Sequence, residues 1–219
     1  MPYEEDFVPD PVGLQEALRR LIEVKGQRGD PHVDPDSLLD LPRAPPETGI
    51  GGRAALDLLA GPALEQASRL DHPGFFAHMD PPTPWMTWGA AAWAAAMNQN
   101  LLHPDSAPTA RHLERTVIDW LAPAFGMDGG HLVPGSTVAN LTALWAAREL
   151  SGARRVVVSA AAHVSVAKAA QILGLGLVQV PVDDRQRLRA DLLPDDLADA
   201  IVVLTAGTVA TGAIGSGSV

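Results

Sequence analysis

The chain has 219 residues, 47% of them hydrophobic, a formal net charge of −10 and no cysteine. That is enough apolar material for one sizeable domain or two small ones, and the acidic balance argues against binding along a nucleic-acid backbone, which needs clustered Lys and Arg. Without cysteine, disulfides, thiolate nucleophiles and Cys-ligated metal sites are excluded.

In chain order, the start MPYEEDFVPDP is acidic and proline-broken where a secretory signal would be basic and then apolar. A reducing cytoplasm is the expected location. PVGLQEALRRLIEVKGQ puts Pro11 where a first-turn proline is tolerated and repeats Leu14, Leu18, Leu21 and Ile22 at helical spacing. This predicts an amphipathic helix that needs a partner surface. RAALDLLAGPALEQASRL continues the helical pattern with a break at Gly61 and Pro62, and a Trp/Ala-rich helix is predicted from Trp85 to Leu102. Its run WGAAAWAAAM is too short and too alanine-rich to span a bilayer, so neither a membrane nor a nucleic acid is expected as a partner. Residues 1–104 therefore read as one helical segment without a strand.

Over 105–219 the pattern changes to alternation. SAPTARHLERTVIDWLAPAFG is a helix with Leu113, Val117, Trp120, Leu121 and Phe125 on one stripe, and GSTVANLTALWAAREL is a second that opens at a Gly-Ser-Thr cap. RRVVVS reads as a buried strand, AHVSVAKAAQILGLG as a helix closed by glycine, and LVQVPVD as a strand. DLLPDDLADA is predicted helical and IVVLTAGT a strand. The fold class is α/β: right-handed crossovers and a parallel sheet covered on both faces.

In such a sheet ligands sit at the carboxyl ends of the strands, where three loops gather. GGHLVPGST brings three glycines and the hydroxyls of Ser136 and Thr137 to a helix start, which suits a phosphate because first-turn N–H groups are unpaired and the helix dipole favours an anion. The same residues equally describe a capped helix after a flexible loop. His163 follows the strand RRVVVS; as a lone histidine it fits a structural bond to the backbone as well as a functional one. The third loop, TAGTVATG, carries Thr205, Thr208 and Thr211, hydroxyls common in purely structural turns. No GxSxG elbow and no HExxH or comparable ligand pair is present, so triad hydrolysis and a zinc site are poor rivals, and no metal is expected.

HPGFFAHM at 72–79, NQN at 98–100, LERTVIDWL, PGSTVANLTALWAAR, AHVSVAKAAQILGLG and TAGTVATGAI occur in the order seen in the group II pyridoxal-phosphate decarboxylases, which the chain resembles from about Asp71 to Ile214. That family includes the aromatic amino acid, tyrosine and glutamate decarboxylases. The resemblance implies the fold type I, aspartate aminotransferase-like fold, pyridoxal 5'-phosphate as cofactor, an L-amino acid as substrate and a homodimer as the assembly. It implies that His163 stacks on the cofactor ring and acts in catalysis, that Ser136 and Thr137 cradle the phosphate, and that Thr208 is a further cofactor contact. Phe75, Phe76 and His78 are implied at the substrate entrance, where plain core aromatics are an equal alternative. Residues 1–104 would be the arm used for dimerisation and substrate entrance, and 105–219 a partial cofactor-binding domain.

The chain departs from the family at Val138, usually Glu or a comparable residue, and at Val209, often a second threonine. After Ile214 the family continues with Asp, whereas this sequence turns to GSGSV. The pyridinium-pairing aspartate and the Schiff-base lysine would follow, so the chain is expected to be roughly the N-terminal half of a decarboxylase. Its two lysines, Lys25 and Lys168, both fall in predicted helices and neither suits a cofactor anchor. The alternatives are a non-catalytic or split-enzyme fragment that folds, dimerises or awaits a complementing C-terminal half, and another fold type I enzyme such as a desulfurase or aldolase.

Overall fold

The structure is a computed structural model that describes residues 8–27, 44, 47–76 and 80–214. It divides into two compact units, Met1–Asn98 and Gln99–Val219.

In the first unit, helix α1 spans Pro11–Gly26 with proline in its first turn, and the Asp10 carboxylate caps it by accepting the Gly13 N–H at 3.0 Å. Arg53 donates to the same carboxylate through two nitrogens at 2.8 and 2.9 Å, and Arg20 pairs with Asp57, so α1 is tied to helix α2, Gly52–Ala60. The Gly61-Pro62 break does not end the helical path. It widens into a π-helical turn, Gly61–Glu65, because proline cannot donate the next i→i−4 bond and the ladder skips a residue around it. Helix α3 spans Trp85–Met97 and stops at Asn98, whose left-handed φ of 43° closes it, five residues short of the predicted end. Trp85 and Trp93 on α3 are 69% and 72% exposed.

In the second unit, helix α4 covers Pro108–Leu121 and tightens into a 3-10 turn at Ala122–Phe125, closed by Gly126 at φ 67°. Helix α5 runs Ser136–Ser151, strand β1 Arg155–Ser159, helix α6 Val164–Ile172, strand β2 Gly176–Val180 and strand β3 Ala200–Val203. The sheet is parallel in the order β2-β1-β3, with Val157 opposite Val178 on one side and Val202 on the other. Val156 and Val158 of the central strand face Leu144 of α5 and Val166, Ala169 and Ala170 of α6, all buried in one apolar cluster. Val157, on the opposite face, is fully buried too.

Two expectations change here. The segment DLLPDDLADA forms only a 3-10 turn, Ala190–Leu192, after which Leu193 is extended at ψ 145°. Pro194 is the reason, since the residue before proline is driven out of the helical region. Asp199 is instead drawn to the sheet edge, accepting the Arg155 guanidinium at 2.7 Å while its carbonyl takes the Arg154 N–H at 2.9 Å. Both described sheet-packing helices, α5 and α6, lie on the Val156/Val158 face. The right-handed rule sends the second crossover, residues 181–199, to the other face, and that crossover contains no α-helix.

Candidate cofactor site

Because α5 enters β1 through only three residues, it runs antiparallel to the strands, and its N terminus lies at their carboxyl end. The loop from β1 to α6 and the loop after β3 open at that same end. Ser136 with Thr137, His163 and Thr208 are therefore carried to one edge of the second unit.

The start of α5 is open. Gly135 is extended, an ideal Cβ built on it would meet nothing within 4 Å, and no side chain caps the helix. Ser136 and Thr137 are both exposed. Unpaired first-turn N–H groups, two hydroxyls and the positive end of a 16-residue helix fit a phosphate.

His163 is the N-cap of α6. Its Nδ1 accepts the Ser165 N–H at 3.2 Å and lies 2.8 Å from the Ser165 hydroxyl, which in turn accepts from Asn140 Nδ2 at 2.7 Å. Asn140 sits one turn into α5 from Ser136 and Thr137. This bond joins the open helix start to the histidine-bearing loop, and it leaves the ring exposed with Nε2 on the side away from the cap. The structural and the functional readings of His163 are thus compatible: one edge of the ring caps a helix while the other edge and the faces remain available. Ser165, 1% exposed, and Asn140 were not singled out from the sequence. The signal was a serine two residues after the histidine, where a cap receives its bond, and an amide one turn after the hydroxyl pair.

Thr208 is buried, and its hydroxyl bonds Thr211 Oγ1 at 2.8 Å and accepts the Ala213 N–H at 3.1 Å, holding its own turn closed. Phe75 and Phe76 belong to the first unit, where His72 Nδ1 accepts the Gly74 N–H and folds the turn before them; Phe75 is half-buried and Phe76 exposed. His78 lies outside the described residues. A cleft of about 700 Å³ beside α4, lined by Arg111, His112, Arg115, Asp119 and Asp128 among others, includes none of these residues. Among the described residues, no group of three His, Cys, Asp or Glu side chains is placed to hold a metal ion, and no helix is long and apolar enough to cross a membrane.

The small parallel sheet with helices packed on it is the α/β fold of the fold type I pyridoxal-phosphate decarboxylases. The glutamate decarboxylase domain of the diaminobutyrate-pyruvate transaminase and L-2,4-diaminobutyrate decarboxylase of Vibrio parahaemolyticus superposes with a TM-score of 0.78 at 24% identity, over 93% of this chain and 52% of that one. The chain belongs to the pyridoxal-dependent decarboxylase family, a family of lyases whose cofactor is pyridoxal 5'-phosphate: residues 64–215 match its conserved domain. It is 32% identical to the L-2,4-diaminobutyrate decarboxylase of Rhizobium meliloti, over 95% of this chain and 44% of that protein. It is 36% identical to the probable L-tyrosine/L-aspartate decarboxylase of Methanopyrus kandleri, over 57% of this chain and 36% of the relative. The chain thus spans between about a third and a half of the length of these relatives.

Proposed function

We propose that this chain carries the phosphate-binding and ring-facing part of a pyridoxal-phosphate-dependent L-amino acid decarboxylase. The observation that carries the reading is the uncapped start of α5 tied through Asn140 and Ser165 to a solvent-facing His163. The relatives act on aromatic, acidic and basic amino acids by name, so the reading is placed at the level of the L-amino acid class.

When bound, pyridoxal phosphate supplies the electron sink that takes up the pair left as the Cα–carboxylate bond breaks and carbon dioxide departs. The first-turn N–H groups of α5 and the hydroxyls of Ser136 and Thr137 would donate to the phosphate oxygens. The His163 ring would stack on the flat face and help hold the scissile bond perpendicular to it. Thr208 supports this site by fixing the loop after β3. Phe75, Phe76 and His78 would line the substrate entrance, and residues 1–104 would serve as the arm of a homodimer, with 105–219 as part of the cofactor domain.

The chain's two lysines favour a second statement, that this polypeptide by itself is not catalytic. Lys25 is held in an ion pair with Asp71 at 3.0 Å. Lys168 is exposed in the second turn of α6, where its side chain runs along the helix face. A complementing segment would have to bring the anchoring amine. The reading is tested by titrating the chain with pyridoxal phosphate and with unphosphorylated pyridoxal. Binding that needs the phosphate and is lost in Thr137→Asp is expected; equal affinity for the two compounds in both proteins would refute it.

A further inference from the structure

We infer that Asn140 and Ser165 are positioning residues that fix His163 as the neutral tautomer protonated on Nε2, so that the nitrogen directed away from α6 is a permanent hydrogen-bond donor. The use of that donor rests on the function proposed above; the geometry that fixes it does not.

The deciding contact is the cap. Ser165 N–H points at His163 Nδ1 at 3.2 Å, and a backbone N–H can only donate, so Nδ1 must offer its lone pair. A proton on Nδ1 would face the Ser165 N–H head-on, at the positive end of α6, where a cation is disfavoured as well. The Ser165 hydroxyl, 2.8 Å from the same nitrogen, has one proton to give. Asn140 Nδ2 donates to its oxygen at 2.7 Å, which turns the hydroxyl proton toward Nδ1. If the Asn140 amide were reversed, its carbonyl would take the hydroxyl proton and the serine oxygen would demand a proton on Nδ1, which the backbone bond forbids. All three contacts therefore run one way, Asn140 to Ser165 to His163. Ser165 is 1% exposed, so water does not substitute for either partner.

Held this way, His163 can donate from Nε2 to an anionic oxygen lying near the plane of its ring and cannot accept a proton there. The relay couples this to the anion site mechanically, because Asn140 stands on the helix whose first turn holds Ser136 and Thr137.

The test reads the ring directly. The full chain is labelled with ¹³C,¹⁵N-histidine, sedimented and examined by solid-state NMR, which tolerates self-association, at about pH 8.5 where histidine rings are neutral. The His163 signals are identified by their loss in His163→Gln. A preference for the Nε2 proton on the order of tenfold or more is expected, since two hydrogen bonds each favour it. In Asn140→Asp the new carboxylate accepts the Ser165 proton and reverses the relay, so the preference should fall by about tenfold. In Ser165→Ala only the backbone bond remains, and a fall of a few-fold is expected; this variant carries the test if Asn140→Asp does not fold. A proton on Nδ1 in the parent chain, an even mixture of tautomers, or both variants losing thermal stability with the ring unchanged would overturn the inference. If the tautomer follows Asn140 and Ser165 while pyridoxal phosphate affinity is indifferent to His163→Asn, the relay stands and the cofactor reading falls.

Discussion

His163 caps α6 and is proposed to stack on the cofactor, and three substitutions separate the two roles. Its Nδ1 caps α6, and its ring is exposed. His163→Ala removes the cap, worth about 1 kcal/mol, and strips the acceptor from a serine hydroxyl that is 1% exposed, worth about 1–2 kcal/mol more. The sum, about 2–3 kcal/mol, corresponds to a Tm lower by roughly 4–12 °C for a chain of this length. His163→Phe keeps a flat ring and should lose as much stability. His163→Asn should stay within about 0.5 kcal/mol of the parent, because asparagine is among the best N-caps and can accept the same bonds. Cofactor binding should sort the variants the other way. A ring stacked on a flat partner contributes about 0.5–1.5 kcal/mol, so Ala and Asn should weaken pyridoxal phosphate binding about two- to tenfold while Phe retains most of it. Thermal unfolding by circular dichroism and a fluorescence titration with the cofactor measure the two separately. If Asn is as unstable as Ala, the cap argument fails; if Phe and Asn bind the cofactor equally, the stacking role fails.

Incubation with pyridoxal phosphate and borohydride, followed by peptide mapping, should give no stoichiometric label at Lys168 and no carbon dioxide from any L-amino acid; labelling there with turnover would refute the half-site reading. The chain should self-associate, since Leu14, Leu18 and Ile22 on α1 and Trp85 and Trp93 on α3 are more than half exposed, and a sharp monomer independent of concentration in sedimentation would count against it. Asp183 accepts the Arg187 and Arg185 N–H groups at 2.9 Å each and pairs with the Arg187 guanidinium; these contacts, the Arg187 N–H foremost, hold its pKa below the ordinary 3.8. A depressed carboxyl contributes stability above its unfolded value and loses it as pH falls through the folded one. The protection factor of the Arg187 amide, its exchange relative to an unprotected amide at the same pH, should therefore hold steady from neutral pH down to about 4 and fall only below that, and a loss of protection near pH 6 would contradict the assignment.

The sequence by itself determined the order of the strands and of the helices that pack on them, and it picked out the loops proposed to hold the cofactor. The run RRVVVS reads as a buried strand because consecutive valines leave no polar face, and Ser136, Thr137 and His163 are legible because hydroxyls and a histidine stand out at helix starts among small residues. What it overstated was local: DLLPDDLADA has helical composition, but one proline at 194 outweighs the propensity of its neighbours. It also carried the Trp/Ala helix past Asn98, where a left-handed cap ends it. Tertiary structure alone decided what holds the Ser165 hydroxyl beside His163. Asn140 and Ser165 are 25 residues apart in the chain, and their 2.7 Å bond exists only because α5 and α6 pack side by side on the same face of β1. No period or spacing encodes that meeting, since it follows from how two helices settle over Val156 and Val158. The bond in turn sets which ring nitrogen is committed to the fold and which is left for a ligand.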